Sequence, residues 1–261
     1  MLVDSHCHLD YPDLQKDFSG VMARAKSAGV ETMLAIGTKL RDFDAVRAIA
    51  EANDNVFCTV GIHPHEAANE QTAADALVAL ADHPKIVGIG ETGLDYFYEK
   101  SPREAQAENF RAHMRAARAS GLPLVVHTRD ADADTADLLD WAHRELPGTI
   151  GVLHCFTSSL ALAQKAIGLG YYISISGIVT FKNAEDLRAT VRALPLERLL
   201  VETDSPYLAP VPKRGKPCEP SYVLHTATFV AELKGVGLPE LAKTTSDNFY
   251  RLFSRAKRPA A

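Results

Sequence analysis

Cysteine is scarce in this chain: Cys7, Cys58, Cys155 and Cys218 are the only four in 261 residues, and no two form a C-x-x-C pair. That spacing excludes a zinc finger and a dithiol redox motif and reads as reduced, structural thiols. No apolar run is long enough to cross a bilayer, and the first residues lack a basic stretch followed by an apolar segment and a small-residue cleavage site. The expected location is therefore cytoplasmic, with no membrane partner. An excess of basic charge is also missing, since 28 Lys and Arg stand against 33 Asp and Glu for a formal net charge of -5. A broad positive surface that coats nucleic acid is excluded, so any phosphate contact must be local. There is no low-complexity segment, and 46% hydrophobic with 23% charged residues is the composition of a folded globular chain.

What the sequence does have is alternation. Eight apolar, β-branched runs (Leu2 to His8, Thr32 to Thr38, Val56 to His63, Ile86 to Glu91, Leu122 to His127, Thr149 to Cys155, Tyr171 to Ser176 and Leu199 to Asp204) are separated by amphipathic stretches. The helical stretches include Phe18 to Ala28, Asp42 to Ala52, Pro102 to Ser120, Asp134 to Glu145 and Leu160 to Leu169. Gly29, Gly121 and Gly170 sit where C-terminal glycine caps belong, and Ser101-Pro102 with Glu104 reads as a capping box. Strict strand-helix alternation predicts an α/β fold, a single-domain (β/α)8 TIM-like barrel over residues 1–254. An open doubly wound sheet is the competing fold, but the glycine-rich phosphate loop that usually follows its first strand is absent. Pro206 to Pro220 holds five prolines and reads as a long loop. Two extra C-terminal helices, near Pro220 to Lys234 and Leu238 to Phe253, precede a short, frayed basic tail over 255–261.

Titratable residues fall where the apolar runs stop. His6 and His8 end the first run, His63 the third, Glu91 the fourth, His127 the fifth, His154 the sixth and Asp204 the eighth. Residues two apart on a strand share a face, so His6 and His8 project together. Burying so many ionisable groups at one end of a barrel is costly without cations. Imidazole nitrogen mixed with carboxylate oxygen suits two divalent ions (Zn, Mn or Mg), one held by His6, His8, Glu91 and Asp204, the other by His127 and His154, with Glu91 shared.

Val3 to His8, Gly61-Ile62-His63-Pro64-His65, Gly90 to Tyr96, His154-Cys155-Phe156-Thr157 and Glu202 to Leu208 together resemble the TatD-type deoxyribonucleases of the amidohydrolase superfamily. The resemblance spans nearly the whole chain and implies a metal-dependent hydrolase that cleaves phosphodiester bonds of DNA, often from a strand end. The implied substrate is single-stranded or end-frayed DNA, with RNA as an extension and no obligate protein partner. Ser158 and Cys218 depart from the family's usual Gly and Asn, which leaves a loop hydrogen bond at Cys218 in question.

Three residues are candidates for catalysis: Asp204 as general base or a purely structural ligand, Glu202 as the acceptor that orients a ligand histidine or a buried salt-bridge partner below the site, and His63 as a contact to the scissile phosphate, a proton donor to the leaving group, or a capped structural histidine. His65 reads as structural. Arg129 is a phosphate clamp or, alternatively, an ion-pair partner of Asp130 or Asp132; Arg214 is a basic rim or only a solvated charge. Tyr96, with Phe97 and Tyr98, is a base-stacking candidate or loop packing. Trp141, Phe249 and Tyr250 read as core. Two rival functions stand beside the nuclease: a small-molecule ester, lactone or amide hydrolase of the same superfamily, and a non-catalytic metal-binding barrel.

Overall fold

A computed structural model describes residues 1–258. The strands are β1 (Leu2–Cys7), β2 (Val30–Ala35), β3 (Val56–Val60), β4 (Ile86–Asp95), β5 (Leu124–Arg129), β6 (Gly151–Leu153), β7 (Tyr172–Ile175) and β8 (Leu199–Val201). They form one parallel sheet in sequential order. Its two edges meet where Cys7 bridges Ser205, with His8 N–H donating to Ser205 O at 2.8 Å and Asp204 N–H to His6 O at 2.9 Å. This is the expected (β/α)8 barrel, as a single domain.

The helices are α1 (Pro12–Gln15), α2 (Phe18–Ser27), α3 (Phe43–Ala52), α4 (Ala74–Ala81), α5 (Arg103–Ser120), α6 (Asp132–Glu145), α7 (Leu160–Gly168), α8 (Glu185–Ala193), α9 (Val223–Lys234) and α10 (Leu238–Leu252). Gly121 ends α5 in the left-handed region at φ 69°, where L side chains are strained. The capping box at its start does not form. The Ser101 hydroxyl instead donates to His65 O at 2.9 Å and accepts from Ala68 N–H at 3.1 Å, which ties the loop after β3 to the loop after β4. None of the described helices is long and apolar enough to cross a membrane.

Two apolar layers hold the barrel. The outer one lies between strands and helices. The inner one stacks Val3, Leu34, Phe57, Val87, Val125, Val152, Tyr172 and Leu200 with Phe249, Leu252 and Phe253 of α10, so the last helix seals the end of the barrel remote from the cavity described below. Burial of a large aromatic side chain stabilises by roughly 1.5–3 kcal/mol, which makes Phe249 and Phe253 structural anchors. Trp141 is only partly buried, with the Arg111 and Arg115 guanidinium groups over its ring. The tail is not frayed where it is described. Arg255 donates to Ala81 O and Ile86 O, Ala256 joins the inner layer and Arg258 pairs with Asp247, while 259–261 lie outside the described residues.

Parity breaks in the strands aim the polar groups. Val3 belongs to the inner layer, so strict alternation would send Cys7 inward and His6 outward. Cys7 instead sits in the outer layer, and the register of β1 on β2 shifts between Asp4 and Cys7. The shift rotates His6 and His8 toward the barrel axis. A second shift lies between Ile89 and Thr92, at Glu91.

Candidate metal centre

The sequence placed the titratable residues at strand ends; the structure puts several of them one to three residues beyond, because the strands splay before their pairing is exhausted. Single backbone hydrogen bonds to residues in or just after other strands still hold them. His63 N–H donates to Thr38 O (2.9 Å), Glu91 N–H to Gly37 O (2.8 Å), His154 N–H to Val126 O (2.9 Å) and Glu202 N–H to Ile175 O (3.1 Å). Glu91 differs from the others, since β4 runs on past it to Asp95. Continuation of β4 beside β5 requires Gly93: at φ 133° it approaches His127 so closely that a Cβ would meet the His127 carbonyl oxygen at 2.0 Å.

Glu91 occupies the middle of the site and is 2% exposed. Its Oε1 lies 2.8 Å from His154 Nε2, 3.3 Å from His127 Nδ1 and 3.3 Å from His63 Nε2. Its Oε2 lies 3.4 Å from His6 Nε2. Asp204 Oδ1 faces the same His6 nitrogen at 3.5 Å and His8 Nε2 at 3.2 Å. The carboxylate therefore stands between two donor groups, His6–His8–Asp204 on one side and His127–His154 on the other, with the His6 and His154 rings stacked at 3.8 Å.

Burial would raise the Glu91 pKa, but the His154 and His63 rings and the hydrogen bonds from His127 and His154 hold it well below the usual carboxylate range. Burial of the His154 ring favours its neutral form, yet Glu91 and Glu202 outweigh that and push its pKa well above the ordinary value. His6 goes the other way, lowered by burial and by its His154 neighbour.

Divalent ions fit this donor set. Both ring nitrogens of His6 and Nδ1 of His8 are buried without a hydrogen-bond partner, although carboxylate oxygens lie close by. Buried polar atoms are rarely left so, and lone pairs converging without protons between them are what cation ligation requires. The outer hydrogen bonds set the tautomers. Glu202 Oε1 faces His154 Nδ1 at 3.3 Å and accepts Cys155 N–H at 2.7 Å, so it orients His154 with Nε2 inward. Asp95 Oδ2, 3.0 Å from His127 Nε2, does the same for His127 with Nδ1 inward.

His63 is the exception. His63, Glu91 and His127 also form a cluster of ligand-like atoms. However, His63 Nδ1 accepts the His65 N–H at 3.1 Å, which places the ring proton on Nε2, the atom that faces Glu91. A nitrogen carrying a proton has no lone pair for a cation. Burial also pulls the His63 pKa down to about 4. The ring is thus a neutral Nε2–H donor aimed at the centre, the geometry that either of its two expected roles requires.

The cavity over the centre has a volume of about 970 Å³. Arg129 lines it, with its guanidinium 4.1 Å from the Phe97 ring and 5.0 Å from the Tyr98 ring. Tyr96 does not belong with those two rings: its hydroxyl donates to Asp134 at 2.6 Å and Arg103 covers its ring at 4.1 Å, so it packs the loop down. Arg214 lies at the rim, 3.8 Å over Phe181, which itself lines the cavity. Cys218 is buried and its N–H donates to Pro206 O at 2.9 Å, so the proline-rich loop keeps a backbone tie there.

Two acids were not assigned from sequence. Asp95 shares the Glu91–Gly93 side of β4 by simple alternation, a signal hidden by ending the strand at Glu91. Besides His127 it takes His65 Nε2 at 2.9 Å, which brings His65 to the site as a support. Asp4, fully buried, accepts Thr203 N–H at 2.9 Å and the Thr203 hydroxyl at 2.6 Å. It thereby fixes the turn carrying Asp204, whose backbone is left-handed at φ 57°.

A model of the family described as TatD related DNase matches residues 3–254. The chain is 48% identical over 255 residues to the uncharacterized metal-dependent hydrolase YcfH of Escherichia coli K12, covering 97% of this chain and 95% of that one. It is 39% identical over 251 residues to the 3'-5' ssDNA/RNA exonuclease TatD of Cronobacter turicensis, covering 94% of each. Among solved structures, the TatD homologue YjjV of E. coli K12 superposes with a TM-score of 0.89 at 30% identity, over 97% of this chain and 98% of that one.

Proposed function

From membership of the TatD related DNase family, to which the chain belongs as a metal-dependent hydrolase, we propose that it cleaves phosphodiester bonds of nucleic acid from strand ends, with single-stranded DNA and RNA as substrates. The observation that carries the reading is Glu91, whose two oxygens face two separate donor groups. His6, His8 and Asp204 would hold one divalent ion (Zn, Mn or Mg), His127 and His154 a second, with Glu91 shared. Such a pair supplies Lewis acidity and a nucleophilic water at neutral pH.

The chain's own groups complete the chemistry. Asp204, the least buried of the candidate ligand acids, accepts the proton of the attacking water. His63 Nε2–H donates to a phosphoryl oxygen on which charge develops, and His65 N–H fixes its direction. Glu202 and Asp95 keep the His154 and His127 lone pairs inward. Four free cysteines agree with a cytoplasmic setting.

The test is a product ladder from metal-reconstituted protein on an end-labelled single-stranded oligonucleotide. Stepwise shortening from one end is expected. No shortening, with rapid cleavage of a lactone or carboxylic ester, would overturn the reading.

A further inference from the structure

Six large hydrophobic side chains are strongly exposed among the described residues, and three of them, Phe97 (55%), Tyr98 (53%) and Tyr207 (51%), line the one cavity that contains the candidate metal centre. Singly exposed hydrophobic residues are ordinary, but paired aromatics lining a cavity, as Phe97 and Tyr98 do with ring centroids 4.8 Å apart, mark a binding surface.

Phe97 and Tyr98 are held there by the centre itself. Asp95, which faces His127 through Oδ2, accepts the Phe97 N–H at 3.1 Å and the Tyr98 N–H at 2.8 Å through Oδ1. One carboxylate therefore fixes both a candidate metal ligand and the turn that presents the two rings. Cationic charge lies on the same wall: the Arg129 guanidinium sits 4.1 Å from the Phe97 centroid and 5.0 Å from that of Tyr98, and Lys100 Nζ is 5.9 Å from the Tyr98 centroid. Of the acids near Arg129, Asp132 accepts Ser159 N–H and Asp134 the Tyr96 hydroxyl, while Asp130 is exposed and also lines the cavity, with no ion pair to Arg129. In a protein of net negative charge, a cation close to exposed rings beside a phosphodiesterase centre complements one ligand chemistry, a nucleotide with its base on the rings and its phosphate on the guanidinium.

Building on the nuclease reading, we infer that Phe97 and Tyr98 form the subsite that stacks the base of the terminal nucleotide while Arg129 clasps a phosphate of the same strand. Such a subsite would engage strand ends of any sequence, since every base has a face to stack.

The test compares the wild type with a Phe97→Ala/Tyr98→Ala variant on three single-stranded oligonucleotides: one intact, one abasic at the 3'-terminal nucleotide and one abasic at the 5'-terminal nucleotide. Both side chains are exposed, and metal content confirms that the centre is intact. The variant should raise KM on the intact strand on the order of 5- to 150-fold, with kcat little changed. On the strand abasic at the stacked end, wild type and variant should be alike. Equal losses on all three strands, or no loss, would overturn the subsite while wild-type cleavage of the intact strand upholds the nuclease reading. A wild type that cleaves none of the three would sink both.

Discussion

His63 and His154 bring the same ring to the same carboxylate oxygen, and the atom bonded on the far side of each ring decides what it does there. Glu202 accepts from His154 Nδ1 and frees Nε2; the His65 amide donates to His63 Nδ1 and forces the proton onto Nε2. His63→Ala should therefore lower kcat by about 10²-fold, as loss of a donor to developing charge does, while metal content, read by inductively coupled plasma spectrometry, stays at the wild-type value. His63→Gln, which keeps an N–H donor, should recover part of the rate. Loss of metal in either variant would show that the ring is a ligand. Glu202→Gln should weaken metal affinity by about 10- to 100-fold, measured by competition with a chelating dye, and unchanged affinity would reduce Glu202 to a buried structural acid. These distinctions were invisible in the sequence. Which histidines gather around Glu91 and Asp204 was legible, because each interrupts an apolar run. Which nitrogen each one offers depends on backbone amides and acids brought from other strands.

Helix α5 shows what an element contributes from behind the site. His113 is fully buried; its Nδ1–H donates to Asn109 O at 2.7 Å and its Nε2 accepts the Ile62 N–H at 3.0 Å, while the Asn109 amide donates to Ile62 O at 2.8 Å. The helix thus clamps both polar groups of the residue before His63. A proton added to His113 Nε2 would face the Ile62 N–H, and burial accordingly pushes the His113 pKa down to about 4. Its folded value lies below the unfolded one, so the unfolded chain takes the proton first. Stability is full above about pH 6.5, falls as pH drops below it and levels off under about pH 4, a loss of roughly 3 kcal/mol from this group. Urea titrations of wild type and His113→Gln between pH 4 and 8 measure it. The difference between the two should shrink toward low pH, and a constant difference would contradict the assignment. Element order was readable from periodicity, whereas the two features that aim the site were not. The register shift within Asp4–Cys7 and the run of β4 past Glu91 to Asp95 come from strand pairing and from the close passage at Gly93, and Asp95 went unassigned for that reason.

At the scale of the molecule, the barrel seals one end with α10 and gathers its acids and imidazoles at the other. The inner apolar layer supports that concentration of charge, and cations are what make it tolerable. Everything proposed for the chemistry depends on Glu91 serving two ions at once. The direct test is the number of divalent ions bound per chain at saturation, for wild type and for Glu91→Ala. The geometry predicts two ions for the wild type and weakened binding of both in the variant. A single ion in the wild type, or a variant that still binds two with unchanged affinity, would contradict it.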